Sequence, residues 1–144
     1  MKRLRWVLFG LSVVGLVVVV MLTSAEMAEI RRSLPMLSRS MSWLERVWPE
    51  GPDLEHVVLF AGLGFFWRLL MLRARGWVLF LVLVALALVT EVMQYMTVGR
   101  TPRWSDARDD VVGAALGLLL AVPVAVVLRR VRGEARAGKE ASAG

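Results

Sequence analysis

Residues 77–98 read WVLFLVLVALALVTEVMQYMTV, a run of 22 with a single charged side chain, Glu91. About 20 apolar residues cross the hydrocarbon core of a bilayer as a helix, so this run reads as a membrane span. On either side lie three more apolar stretches of near-spanning length, Trp6 to Leu22, Val57 to Leu72 and Val111 to Leu128. Of the 144 residues 58% are hydrophobic, where a soluble domain has roughly 45–50% even with Gly counted in. Mean hydropathy is +0.63, which excludes an ordinary soluble globule. With no Cys, a disulfide framework, a thiolate metal site and a catalytic thiol are excluded too. The expected fold class is all-α: a polytopic membrane protein built as a four-helix transmembrane bundle. Its parts are a first span in 1–22, an outer loop in 23–52, a core of three spans in 53–128 and a disordered tail in 129–144.

The 18 Lys and Arg exceed the 12 Asp and Glu, a formal charge of +6. In a soluble chain that excess would suggest nucleic acid, but in a membrane protein the placement of the charges decides. No nucleic-acid partner is expected. Lys2, Arg3 and Arg5, then Arg68, Arg73 and Arg75, and finally Arg129, Arg130, Arg132, Arg136 and Lys139 fall on one side of the alternating spans. Fewer basic residues, with most of the acids, fall on the other. Positive loops stay inside, so both termini are expected in the cytoplasm. The basic start and the Thr23-Ser24-Ala25 end of the first span also suit a secretory signal. Its 17-residue apolar run exceeds the usual core of roughly 7–15 residues, which favours an uncleaved anchor.

In the outer loop Ile30, Leu34, Leu37, Met41, Leu44 and Trp48 recur at steps of 3 and 4, one apolar stripe. Pro35 suits a first helical turn. The stripe predicts a short amphipathic helix on the outer leaflet with Trp43 and Trp48 at headgroup level, or a cover laid over the bundle. Beyond Arg132 the residues are small and charged and lack an apolar period, hence the expected disorder.

Polar residues inside an apolar span need a reason. Glu91, Gln94 and Tyr95 share one helix face, and counting back from Val98 puts Glu91 roughly 10 Å below the outer surface. A carboxylate there is either part of an outward-opening site or structural glue to a neighbouring helix. Asp106, Asp110, Gly113 and Gly117 are spaced 4, 3 and 4 and span about 60° of arc, two acids followed by two small residues. The glycines, with Ala121, form a seam that admits a helix backbone. Asp106 or Asp109 also suits a helix cap. His56, the one histidine, opens the second span, with Phe60, Leu63 and Trp67 continuing its face. It serves as a site residue or as a polar helix start. Arg100 and Arg103 in the outer turn are candidates for binding phosphate or for neutralising the acids.

The stretch His56-Val57-Val58-Leu59-Phe60-Ala61-Gly62-Leu63-Gly64-Phe65 resembles the H-f-x-x-Y-x-x-L-G pattern of VanZ-like membrane proteins. Glu91-Val92-Met93-Gln94 followed by Gly99-Arg100 is similar to their E-x-x-Q and G-R. Asp106, Asp110, Gly113 and Gly117 match their D-x-x-x-N-x-x-G-x-x-x-G with identical spacing. The resemblance runs from about Pro52 to Ala121. Asp110 stands where the family usually has Asn, Phe60 where it has Tyr, and Asp53 and Glu55 precede His56 where it has Lys. A hydroxyl and a positive charge are thereby lost and a negative one gained. The resemblance implies a bacterial inner-membrane protein with an envelope-related role and an influence on glycopeptide susceptibility, and no established reaction.

Two functions of different class follow. The first is a binding module holding an anionic lipid-linked or cell-wall precursor headgroup at the cluster His56, Glu91, Gln94, Arg100, Asp106 and Asp110, with membrane lipids as partners and no cofactor. Arg100 would meet the phosphate while Glu91 and Asp106 orient it. The second is a membrane enzyme acting on a lipid or isoprenoid phosphate, with His56 or Glu91 as acid or base and a divalent metal among Glu91, Asp106 and Asp110. Neither reading has a clear nucleophile, because Ser105 has no base beside it in sequence. Ion conduction ranks last, since the inner halves of the spans are apolar.

Overall fold

The computed structural model describes residues 2–22, 24–47, 53–94, 96 and 103–141. They form six helices and no strand: α1 Lys2–Met21, α2 Ser24–Ser33, α3 Pro35–Val47, α4 Leu54–Leu70, α5 Gly76–Gln94 and α6 Trp104–Ala141. The all-α class holds.

The centre of the molecule is the pair α4 and α6. Asp53 starts α4, its side chain accepting the Glu55 N–H at 3.0 Å, which satisfies a donor that the first turn otherwise leaves free. The α4 face carrying His56, Phe60, Leu63 and Trp67 is buried. Against it lies α6, brought to backbone contact by glycine. A methyl group on Gly113 would meet the Val57 Cα at 2.9 Å, and one on Gly117 the Ala61 carbonyl carbon at 2.7 Å. Gly64 returns the fit, a methyl there lying 2.8 Å from the Ala114 carbonyl oxygen. Val57 pairs with Gly113 and Ala61 with Gly117, so the two helices run parallel. Small residues at such a crossing let van der Waals packing replace the hydrophobic drive that lipid does not supply.

Between them in sequence α5 runs the opposite way, burying Leu79, Leu83, Ala87, Thr90, Glu91 and Gln94. The first helix joins through Trp67, whose indole N–H donates to Ser12 Oγ at 2.9 Å while its ring lies 4.3 Å from that of Phe9. Ser12 passes its own hydrogen to the Phe9 carbonyl at 2.7 Å. At the turn after α4, Arg68 donates to the Ala74 carbonyl at 3.2 Å and the Arg129 guanidinium to that of Leu72.

Four observations differ from the expectations. Among the described residues two helices, Gly76–Gln94 and Trp104–Gly133 within α6, are long and apolar enough to cross a membrane. Of the other two expected spans, α4 falls short with 17 residues, among them Glu55, His56 and Arg68, and α1 is a helix of 20 residues that opens on Lys2, Arg3 and Arg5. The outer loop holds two helices, split at Leu34 because Pro35 begins the second; Trp48 lies outside the described residues. α5 closes at Gln94, which puts Glu91 in its last turn. Finally, α6 runs on to Ala141, so 129–141 is helical where disorder is expected. Ala, Arg, Glu and Lys are strong helix formers, and extending a helix already nucleated needs no apolar stripe.

Candidate functional site

The parallel α4 and α6 and the antiparallel α5 bring the start of α4, the end of α5 and the start of α6 to one end of the bundle. Residues 19 to 54 positions apart in the sequence thereby meet. His56 Nδ1 and Asp110 Oδ1 are 2.8 Å apart. An ionised carboxylate only accepts, so the imidazole donates and Asp110 fixes its ring. Glu91 Oε2 accepts the backbone N–H of Arg103 at 3.2 Å, tying the end of α5 to the residue before α6. One ligand atom each from His56, Glu91 and Asp110 lies within 4.8 Å of the others.

These groups are buried: His56 and Glu91 are 9% exposed, Gln94 1% and Asp110 0%. Three of their polar atoms, Glu91 Oε1, Gln94 Nε2 and Asp110 Oδ2, have no hydrogen-bond partner among the described residues. Burial without a partner costs roughly 1–3 kcal/mol for each such atom. All three belong to the same end of the bundle, and two belong to the cluster that could ligate a metal.

Of the residues singled out from sequence, the fold brings His56, Glu91 and Asp110 together and buries Gln94 one turn beyond Glu91 on the same face. Asp106 is half-buried and accepts the Ser105 hydroxyl at 3.0 Å. It is not part of the close group, so the divalent-ligand set expected from Glu91, Asp106 and Asp110 becomes His56, Glu91 and Asp110. The change follows from helix periodicity, since Asp106 is one full turn nearer the helix end than Asp110. Arg100 lies outside the described residues. Gly113 and Gly117 lie against α4 directly below the acids.

Asp109 does something that the sequence does not reveal. It is 2% exposed, and its Oδ2 accepts the backbone N–H of Asp53 at 2.6 Å, so a side chain of α6 ties down the entry to α4. Its other oxygen takes Arg108, with the guanidinium at 2.9 Å. An acid near a helix start reads as a cap for its own helix, and nothing in the spacing says that it serves another one.

None of the curated proteins and none of the solved structures matches the chain. The family model described as VanZ/LLP1 matches residues 7–128, a span that includes every residue of the cluster and the glycine seam beneath it. A match over that much of the chain, with the buried His56, Glu91 and Asp110 inside it, establishes that the chain belongs to the VanZ/LLP1 family.

Proposed function

We propose that this VanZ-family protein crosses the bacterial inner membrane four times, through α1, α4, α5 and α6, with both termini in the cytoplasm. Its role is in the envelope, where the outward-facing cluster holds the anionic headgroup of a lipid-linked or cell-wall precursor and so influences glycopeptide susceptibility. The topology is supported by the charge at the two ends of the core. Arg68 and Arg129 occupy the end opposite His56, together with Arg73, Arg75, Arg130 and Arg132, as the preference of Lys and Arg for cytoplasmic loops requires. Exposed apolar side chains such as Leu11, Leu81, Val92 and Leu119 suit an outer surface that meets lipid. The 17 residues of α4 reach about 26 Å, close to the hydrocarbon thickness, and local thinning accommodates the remainder.

The observation that carries the headgroup reading is the convergence of three buried, unpartnered polar atoms on one end of the bundle. A structural lock would pair its own atoms. Arg100, between α5 and α6 in the sequence, is the phosphate partner, with Glu91 and Asp106 orienting the headgroup. A second reading, an enzyme acting on a lipid or isoprenoid phosphate, is favoured by the 2.8 Å bond between His56 and Asp110, because a carboxylate-oriented imidazole is equipped for acid–base work. Turnover of such a phosphate that fails in His56→Gln would select it.

The test combines lipid analysis with genetics. Native mass spectrometry of the detergent-extracted protein should find an anionic lipid that is lost in Arg100→Gln and in Glu91→Gln. Glu91→Gln with Arg100→Gln should accumulate to normal level yet leave glycopeptide susceptibility as altered as either single change. Recovery of both level and phenotype in the double variant would make the two residues a mutually neutralising pair and end the headgroup reading. A reporter active only in the periplasm, fused after Gly144, should stay silent; a strong signal from an intact fusion would invert the topology.

A further inference from the structure

The geometry points to a divalent-cation site formed by His56, Glu91 and Asp110, the ion being what allows an acidic pocket to hold an anionic headgroup. The inference deepens the headgroup reading of the same cluster, and it rests on that reading for the purpose of the ion but not for its binding.

Of the carboxyl groups near this end, four lie on α5 and α6, and the structure sorts them. Asp109 is saturated by the Asp53 N–H and by Arg108, and Asp106 takes the Ser105 hydroxyl. Glu91 Oε1 and Asp110 Oδ2 are left buried without a partner among the described residues. The described basic side chains do not supply one: Arg108 is engaged with Asp109, and Arg103 is exposed and gives Glu91 its backbone N–H. Two buried carboxylates against one imidazole leave the group net negative even with the imidazole protonated, which opposes a phosphate. A divalent ion removes that repulsion and satisfies both open oxygens.

The size fits. Bonds of about 2.1 Å place two ligands of one ion at most about 4.2 Å apart, and the three ligand atoms already lie within 4.8 Å of one another. Side-chain adjustment of less than about 1 Å closes the difference. His56 Nδ1 and Asp110 Oδ1, 2.8 Å apart, are spaced as neighbouring ligands of one ion, which takes the place of the proton between them while Asp110 Oδ2 closes on the same ion. One imidazole nitrogen with two carboxylates suits Zn²⁺ or Mn²⁺ better than Ca²⁺, which seeks six to eight oxygens, or Mg²⁺, which keeps most of its water. Three protein ligands leave further positions for a water or phosphate oxygen. The unpartnered Gln94 Nε2 is a donor, suited to such an oxygen and not to the ion itself.

The experiment uses the full-length protein in detergent, stripped with chelator, loaded with Zn²⁺ or Mn²⁺, desalted and assayed for metal. About one ion per chain is expected, bound at least tenfold more weakly by Glu91→Gln and Asp110→Asn. Asp53→Asn keeps a capping side chain and should bind as the parent does. Circular dichroism and gel filtration identify variants that have not folded. As a readout independent of the variants' folding, pulsed electron paramagnetic resonance of the Mn²⁺-loaded parent should detect an imidazole nitrogen coupled to the ion. A parent that binds no ion, or folded Glu91→Gln and Asp110→Asn that bind undiminished, or Mn²⁺ without nitrogen coupling, overturns the site. Metal bound with no anionic lipid retained would keep the site and remove the headgroup reading, so the two fail separately.

Discussion

The two ends of the α4–α5–α6 core handle polar groups in opposite ways. At the turn between α4 and α5 the guanidiniums of Arg68 and Arg129 are spent on the backbone carbonyls of Ala74 and Leu72. Carbonyls at a helix end that would otherwise lack partners are satisfied by long side chains. At the other end, the side chains that approach from three helices leave Glu91 Oε1, Gln94 Nε2 and Asp110 Oδ2 without a partner among the described residues. One end is closed by its own chain, whereas the other keeps three buried polar atoms without a partner among the described residues. The glycine seam joins them: Gly113, Gly117 and Gly64 hold α4 and α6 at backbone distance, and that closeness aligns His56 with Asp110.

Breaking the seam should therefore have the largest effect and remove both ends at once. Gly117→Leu puts a branched side chain where even a methyl would lie 2.7 Å from the Ala61 carbonyl carbon. A loss of about 3 kcal/mol or more is expected, seen as collapse of the melting temperature in detergent. Gly62→Leu, at a position with nothing within 4 Å, should melt within a few degrees of the parent. Similar melting of the two variants would mean that the seam does not hold the bundle.

The contrast between the ends is sharpened by exchanging one group at each. Arg129→Gln should lower stability by about 1 kcal/mol, since the lost hydrogen bond is charge-assisted but the side chain is exposed. It should leave ligand retention unchanged. Asp110→Asn should do the reverse, abolishing retention without loss of stability, because it removes a buried charge that has an open oxygen. Thermal melts beside lipid and metal analysis check both. If Asp110→Asn is the less stable variant and retention is intact, the acidic end is a lock like the basic one.

The smallest effect concerns α1. Ser12→Ala removes the 2.9 Å bond between α4 and α1 and should cost about 0.5–1.5 kcal/mol, and Trp67→Phe removes the same bond together with part of a buried ring. Because the bond is shared, the double variant should lose less than the two separate losses combined. Additive losses in chemical denaturation would show that the hydrogen bond does not couple the two side chains, leaving the first helix held by apolar packing such as the Phe9–Trp67 ring contact.

Much of this was legible in the chain. The apolar run 77–98, the face His56–Phe60–Leu63–Trp67 and the series Asp106, Asp110, Gly113, Gly117 are spacings along single helices, and helix periodicity alone sets which side chains share a side. The start of a helix at Pro35 has the same local origin. Length was read less well: α5 stops at Gln94 and α6 continues to Ala141, since apolar composition marks where a helix meets lipid and not where its hydrogen bonding ends.

What only the tertiary structure decided is which groups meet across helices. The sequence offers His56, Glu91, Gln94, Asp106, Asp109 and Asp110 as polar residues near one membrane face, and spacing along a helix says nothing about rotation relative to another. The parallel approach of α4 and α6 selects Asp110 for His56 and Asp109 for the Asp53 backbone, so adjacent aspartates acquire opposite fates. Asp109 ends saturated and Asp110 keeps an open oxygen. The physical reason is that consecutive residues on a helix differ by about 100° in direction. At a glycine crossing this tight, that angle separates a side chain that ties down the neighbouring helix from one that opens into the site.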